Sequence, residues 1–128
     1  MVFLAHIIGS LYGFLAVIFG AFGAHALKKV LNQDQLKSFE TGVKYQMYHA
    51  ILLLVLGFNL DPEMPLQHYM VYCFVLGTFL FSFSIYGLVL GASKGLKIKI
   101  LGPITPIGGL LLVVGWGLLL YSFIKEWI

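Results

Sequence analysis

Four long apolar stretches separated by short polar segments dominate this sequence. They cover residues 2–27, 45–60, 69–90 and 104–124. An α-helix needs roughly 20 apolar residues to cross the hydrocarbon core of a bilayer. Within lipid every backbone polar group has to be satisfied inside the protein, which favours helices. The pattern predicts an all-α polytopic membrane protein, a single domain with transmembrane helices at approximately residues 2–27, 41–60, 67–90 and 104–125.

The second helix is predicted to begin well before its apolar stretch. Asn32, followed three residues later by Gln35, resembles a capping box, in which two side chains satisfy free N–H groups at a helix start. Leu36, Phe39 and Val43 then follow at helical spacing. We expect an amphipathic start that lies in the membrane interface and leads into the second span.

This second span brings polar side chains toward hydrocarbon. A full crossing that ends at Leu60 reaches back about 20 residues to Thr41. It therefore includes Lys44, Gln46 and His49. Lys44 can extend its ammonium group to the surface. Gln46 and His49 reach less far, so they require either partners inside the bundle or a locally thinner membrane.

The lysines indicate how the chain is oriented. Seven of the eight lysines lie in the first and third connections: Lys28, Lys29, Lys37, Lys44, Lys94, Lys97 and Lys99. Four spans place these two connections on the same side of the membrane. Lysine excess marks the cytoplasmic side, or the matrix side in an organelle. The distribution predicts that the N- and C-termini both lie outside.

Composition excludes several classes of protein. The chain is 60% hydrophobic and only 10% charged, whereas soluble domains are typically about 25% charged. It contains no arginine, the side chain that binds phosphate and guanine through two parallel hydrogen bonds, so nucleic acid is not an expected partner. The expected partners are the lipid bilayer and either another membrane protein or further copies of this chain.

Small residues predict close contacts between helices. Gly9, Gly13 and Gly20 lie at multiples of about one helical turn along the first span, and Gly108 and Gly109 open the fourth. Glycines at such spacing let the backbones of membrane helices approach each other. We therefore assign these five glycines to helix packing.

Polar side chains concentrate where the first span ends and the second begins. The predicted cluster consists of His25, Glu40, Thr41, Lys44, Tyr45, Gln46 and His49. Ionisable groups this close to hydrocarbon usually pair with one another or line a pathway. Two interpretations follow. The cluster is either a polar pocket for an ion, a proton or a lipid head group, or a structural clasp that fixes the second helix against the first.

The sequence predicts no catalytic set, metal site or cofactor. A zinc site needs four convergent ligands, whereas the 4 histidines are scattered along the chain. A hydrolase would bring Ser, His and a carboxylate together. Of the 5 carboxylates, only Glu40 lies near a histidine that is predicted to be buried. We therefore do not expect an enzyme.

Three segments also resemble a known family. They are residues 20–27 (GAFGAHAL), 39–49 (FETGVKYQMYH) and 102–109 (GPITPIGG). Together they resemble domain-of-unknown-function family 423, which includes the YgdD/YwdK-like bacterial membrane proteins and is similar to human transmembrane protein 256. The resemblance implies a four-helix integral protein of the bacterial inner membrane, or of the mitochondrial inner membrane in eukaryotes, with no established activity.

Two functions are compatible with these features. The first is an accessory, scaffold or assembly subunit that packs against other membrane proteins, as the glycine faces of several helices indicate. The alternative is an oligomeric transporter or channel for a small solute, ion or lipid that uses the polar cluster. A membrane enzyme acting on lipid or quinone receives the least support.

Overall fold

The architecture, described by a computed structural model of residues 1–128, consists of helices alone. They are α1 Val2–Ala24, α2 Gln33–Asn59, α3 Pro65–Thr78, α4 Ser84–Ser93 and α5 Ile104–Trp127. A π-helical turn at Phe79–Phe83 joins α3 to α4, so that Pro65–Ser93 runs as one helical rod. The chain thus forms four long helical rods, and the prediction of an all-α protein is confirmed.

Three of the rods are long and apolar enough to cross a membrane. They are Val2–Lys29, Pro65–Ser93 and Lys99–Trp127, each bounded to include its adjoining short helical turn. They coincide with the first, third and fourth predicted spans. The polar residues in the first half of α2 lower its hydropathy, and α2 is not among the three. A membrane protein is therefore supported, while the span at residues 41–60 stays a prediction.

Helix ends follow local sequence signals. The Asn32 side chain accepts a hydrogen bond from the Gln35 N–H, and the Gln35 side chain accepts one from the Asn32 N–H. This confirms the predicted capping box at the start of α2. At the end of α4, Gly95 adopts φ 75°, and the Leu96 N–H bonds to the Gly91 carbonyl at 2.8 Å. Glycine is favoured there because this left-handed cap strains other residues.

Helix α2 lies at the centre of the bundle. It packs most extensively on α1 and also contacts α3, α4 and the π-helical turn, while α5 packs on α3 and on the same turn. Leu27, after α1, and Leu90, near the end of α4, line one common groove. The fold therefore brings the two lysine-rich connections to the same end of the bundle.

The predicted glycines of α1 face α2. A Cβ at Gly9 would lie 3.1 Å from the Ala50 carbonyl oxygen, so the two backbones approach closely there. A Cβ at Gly13 or Gly20 would meet α2 side chains at 3.8 Å and 3.6 Å, which are ordinary contact distances. Of these three glycines, Gly9 makes the closest approach to α2.

The π-helical turn rests on the first turns of α5. A Cβ at Gly108 would overlap the backbone nitrogen of Phe81 and would lie 2.8 Å from the Leu80 carbonyl carbon. A Cβ at Gly109 would meet only the Phe81 ring, at 3.6 Å, which is an ordinary contact distance. π-Helical turns widen a helix locally and are rare. Here the widened turn needs a neighbour without a side chain, and Gly108 supplies it.

We predict that Gly108→Ala destabilises the bundle. The added methyl group forces the backbones of α5 and the turn apart, which should lower the free energy of unfolding by about 1–3 kcal/mol. Gly117→Ala is the matched control, because a Cβ at that position of α5 would meet nothing within 4 Å. It should leave stability unchanged or raise it by up to about 1 kcal/mol. Unfolding in mild detergent, followed by circular dichroism, measures both; equal stability would contradict this packing.

Candidate functional site

A buried carboxamide on α2 joins three helices. Gln46 is 0% exposed. Its Nε2 donates a hydrogen bond to the Tyr12 carbonyl of α1 at 2.8 Å, and its Oε1 accepts one from the Tyr86 hydroxyl of α4 at 2.7 Å. Burying a glutamine side chain inside a membrane bundle costs free energy unless its amide group is hydrogen-bonded. In this protein its partners come from two different neighbouring helices.

The hydrogen bonds continue beyond Gln46. The Tyr12 hydroxyl donates to the Val75 carbonyl of α3 at 2.7 Å. In the π-helical turn, the Ser82 hydroxyl donates to the Gly42 carbonyl of α2 at 2.7 Å. Gly42 also lets the Tyr86 ring lie against α2, since a Cβ there would be 2.7 Å from that ring. The network therefore ties α2 to α1 and α4, and α1 to α3.

His49 extends these polar contacts to α5. It is 3% exposed. The Trp116 indole N–H donates to His49 Nε2 at 3.1 Å, and His49 Nδ1 lies 2.6 Å from the Tyr45 carbonyl. An indole N–H can only donate and a carbonyl can only accept. The two contacts therefore fit a neutral imidazole that carries its proton on Nδ1, because a proton on Nε2 would face the indole N–H.

The structure divides the predicted cluster into two groups. Gln46 and His49 lie in the interior. The other members lie at or near the surface: His25, Glu40, Thr41, Lys44 and Tyr45. The Thr41 hydroxyl donates to the Lys37 carbonyl of its own helix at 3.0 Å, and the Tyr45 ring packs 4.9 Å from Phe81. No side chain of these five residues hydrogen-bonds to Gln46 or His49, and only the Tyr45 backbone carbonyl contacts His49.

Sequence analysis missed the partners of Gln46 and His49. They are the backbone carbonyl of Tyr12 and the side chains of Tyr86 and Trp116. The Tyr86 hydroxyl and the Trp116 indole N–H each lie within an apolar stretch. Such groups need a partner when a helix is surrounded by lipid. That requirement was a usable signal, but the choice of partner depends on how each helix is rotated.

The chemistry of the network is that of a clasp between helices. Gln46 bonds to α1 and α4, and His49 accepts a bond from Trp116 of α5, so their polar atoms are paired within the bundle. Two buried side-chain atoms have no hydrogen-bond partner, His6 Nε2 and Thr78 Oγ1. No group of three or more His, Cys, Asp or Glu side chains is placed to hold a metal ion. Long apolar helices around internal polar bonds define an α-helical membrane protein.

Comparison with known proteins agrees with this class. The family model described as "Protein of unknown function (DUF423)" matches residues 19–109. A UPF0382 membrane protein of Staphylococcus aureus (strain bovine RF122) is 38% identical over 119 residues, covering 93% of each chain. The UPF0382 inner membrane protein YgdD of Escherichia coli K12 is 33% identical over 120 residues, covering 93% of this chain and 88% of YgdD.

This chain therefore belongs to the DUF423 family, and the resemblance found in its sequence is confirmed. A UPF0382 membrane protein of Haemophilus influenzae is also similar, at 35% identity over 117 residues that cover 91% of this chain and 90% of the relative. No solved structure matches the chain. The region matched by the family model contains Gln46, His49 and Tyr86.

We predict that Gln46 and Tyr86 are energetically coupled. Gln46→Leu leaves the buried Tyr86 hydroxyl without its acceptor and should lower the free energy of unfolding by about 1–3 kcal/mol. Tyr86→Phe leaves the Gln46 oxygen unpaired. The double variant removes both polar groups, so its loss should be smaller than the sum of the single losses.

The control for this double-mutant cycle of Gln46 and Tyr86 is Thr41→Val, which removes a hydroxyl that bonds only within its own helix. It should change stability by less than about 0.5 kcal/mol. Unfolding of all four variants in the same detergent gives the coupling energy. Additive losses would show that the Gln46–Tyr86 bond does not hold these helices together.

Proposed function

We propose that this protein is an accessory or assembly subunit that packs against another protein in the bacterial inner membrane. The observation that carries the proposal is the open face of α5 around Gly117. A Cβ at Gly117 would meet nothing within 4 Å. The rod that contains α5 is also the least buried of the three apolar rods. In its most apolar 18-residue segment 17% is buried, against 22% and 39% in the other two rods.

Packing inside the bundle does not explain the glycine at position 117. Glycine in a helix is about 1 kcal/mol less favourable than alanine. Elsewhere in α5, Gly108 and Gly115 lie close to other helices; a Cβ at Gly115 would be 2.8 Å from the Phe74 ring. Gly117 makes none, although membrane helices use glycine where another backbone approaches. A helix of a partner, packed from outside, accounts for a glycine at this position.

The surroundings of Gly117 suit such a contact. Large exposed apolar residues flank it at helical spacing: Leu110, Val113, Val114, Leu120 and Tyr121. We call these five residues and Gly117 the α5 face. Small residues set between larger apolar ones form a groove into which a second membrane helix packs. The α5 face has this form and is free of charged side chains.

We also propose that α2 crosses the membrane, which gives four transmembrane spans together with the three apolar rods. Two of its polar side chains, Gln46 and His49, turn inward. The exposed positions within its apolar stretch are Tyr45, Tyr48, Ile51, Val55, Phe58 and Asn59, and Asn59 is the last residue of the helix. An outward face of this composition suits lipid contact. Crossing by α2 sets both lysine-rich connections on the cytoplasmic side and both termini outside, as lysine bias favours.

Transport by an oligomer is the weaker candidate. A transporter or channel needs a polar path across the membrane. The buried polar groups Gln46 and His49 are instead bonded to neighbouring helices. Glu40 and Lys44 lie at the surface of the molecule. These placements favour a structural clasp over a pathway.

We predict that the two ends of α2 lie on opposite sides of the membrane. In a Cys73→Ala background, which removes the single cysteine, Glu63→Cys should react with a membrane-impermeant maleimide in intact spheroplasts. Lys29→Cys and Lys97→Cys should react only after the membrane is opened. Labelling of Glu63→Cys and Lys29→Cys from the same side would contradict the crossing of α2.

We also predict a specific neighbour at the α5 face. A photo-crosslinking amino acid at position 117, activated in native membranes, should give one discrete product larger than the 14.2 kDa chain. Mass spectrometry of this product identifies the neighbour. The control is position 17 on α1, where Val17 is 63% exposed and only lipid contact is expected. No discrete product at 117, or the same product from both positions, would contradict the accessory role.

A further inference from the structure

A second surface feature, separate from the α5 face, lies at the lysine-rich end of the bundle. An apolar groove of about 330 Å³ opens between the C-terminal part of α1, the first turns of α2 and the C-terminal part of α4. Phe22, Phe39, Tyr86 and Leu90 are among its seven lining residues, all of which are hydrophobic. We call it the lysine-end groove. Its volume falls at the lower end of the roughly 300–1,000 Å³ typical of ligand sites.

Packing inside the bundle holds the walls of this groove in place. The Tyr86 ring packs 5.0 Å from Phe39 and 5.1 Å from Phe19, measured between ring centroids. The Tyr86 hydroxyl bonds to Gln46, so that only its apolar ring faces the groove. A Cβ at Gly23 would lie 3.1 Å from the Phe39 ring, which places that ring tightly against α1. The groove is therefore preformed by rigid aromatic side chains.

Lysines follow two of the residues that line this groove. Lys28 and Lys29 directly follow Leu27, a lining residue, in the short helical turn Leu27–Lys29. Lys94 directly follows the last residue of α4 and lies four residues after Leu90, which also lines the groove. This end of the bundle carries seven lysines and two carboxylates, those of Asp34 and Glu40. Lysines at a membrane surface attract anionic lipid head groups.

We propose that the lysine-end groove binds one anionic phospholipid. One acyl chain fills the apolar groove, and the phosphate lies at Lys28, Lys29 and Lys94. An acyl chain binds more favourably in a concave apolar groove than on a flat helix surface, because the groove surrounds more of it. The nearby lysines favour a negatively charged head group. The site is separate from the α5 face, so it stands or falls independently of the accessory role.

Lipid retention tests the proposal directly. The purified protein is reconstituted into bilayers with equal amounts of phosphatidylglycerol and phosphatidylcholine that carry identical chains, and native mass spectrometry counts the lipids that stay bound. We expect one retained lipid, with phosphatidylglycerol enriched at least fivefold over phosphatidylcholine. Retention in the bulk ratio, or no retention, would overturn the proposal.

Two charge variants separate the head-group site from general surface charge. Lys28→Gln/Lys29→Gln should reduce the enrichment of phosphatidylglycerol to less than twofold while the fold stays intact. Lys97→Gln/Lys99→Gln removes the same charge from the other lysine-rich connection, and it should keep most of the enrichment. An equal loss in both variants would mean that the lysines act only through overall charge.

The acyl-chain site is tested by photo-crosslinking, first on the unchanged protein and then on one variant. Phosphatidylglycerol with a photoactivatable group in one acyl chain is crosslinked in the bilayer, and the labelled residues are mapped. Labels should concentrate at Phe22, Leu27 and Leu90, and Leu90→Trp, which fills the mouth, should reduce them at least threefold. Labels spread evenly over exposed residues such as Val17 and Val113 would show an ordinary lipid-facing surface instead.

Discussion

The buried carboxamide of Gln46 is the constraint on which the rest of the bundle depends. An amide at 0% exposure has no water to bond to, and leaving it unpaired would cost about 1–3 kcal/mol. The structure meets this requirement with the Tyr12 carbonyl and the Tyr86 hydroxyl. Both bonds form only when α1, α2 and α4 are correctly rotated. His49 and Trp116 impose the same condition on α5, which explains why the least apolar helix lies at the centre.

Short hydrogen bonds between helices also require backbones that approach closely. Gly42 admits the Tyr86 ring beside Gln46, and Gly9 brings α1 against α2. Gly108 receives the backbone of the π-helical turn at Phe81. Glycine lowers helix propensity in water, but inside a bilayer it lets neighbouring helices pack and reach each other's polar groups. The glycines and the polar bonds therefore form one packing arrangement. Gly117 takes no part in it, and the proposed contact with a partner is based on this difference.

Local features of this fold could be predicted from sequence, whereas helix rotation could not. The capping box at Asn32 and the apolar helices depend on neighbouring residues, and both predictions were confirmed. The predicted polar cluster treated Glu40 and Gln46 as one group, although Glu40 is exposed and Gln46 is buried. Which face of α2 turns inward depends on contacts with residues far along the chain, such as Gly42 with Tyr86. The π-helical turn was not predicted, because no proline or glycine marks it.

The bond between the Gln46 side chain and the Tyr12 carbonyl can be measured directly in a bilayer. Protein with tyrosine labelled at the carbonyl carbon (¹³C) and glutamine at Nε2 (¹⁵N) is reconstituted into lipid, and solid-state NMR detects the dipolar coupling between the two nuclei. We predict a clear coupling that corresponds to a hydrogen-bonded pair, and its loss in Gln46→Leu. The absence of this coupling in the unsubstituted protein would contradict the account of α2 as the helix that holds the bundle together.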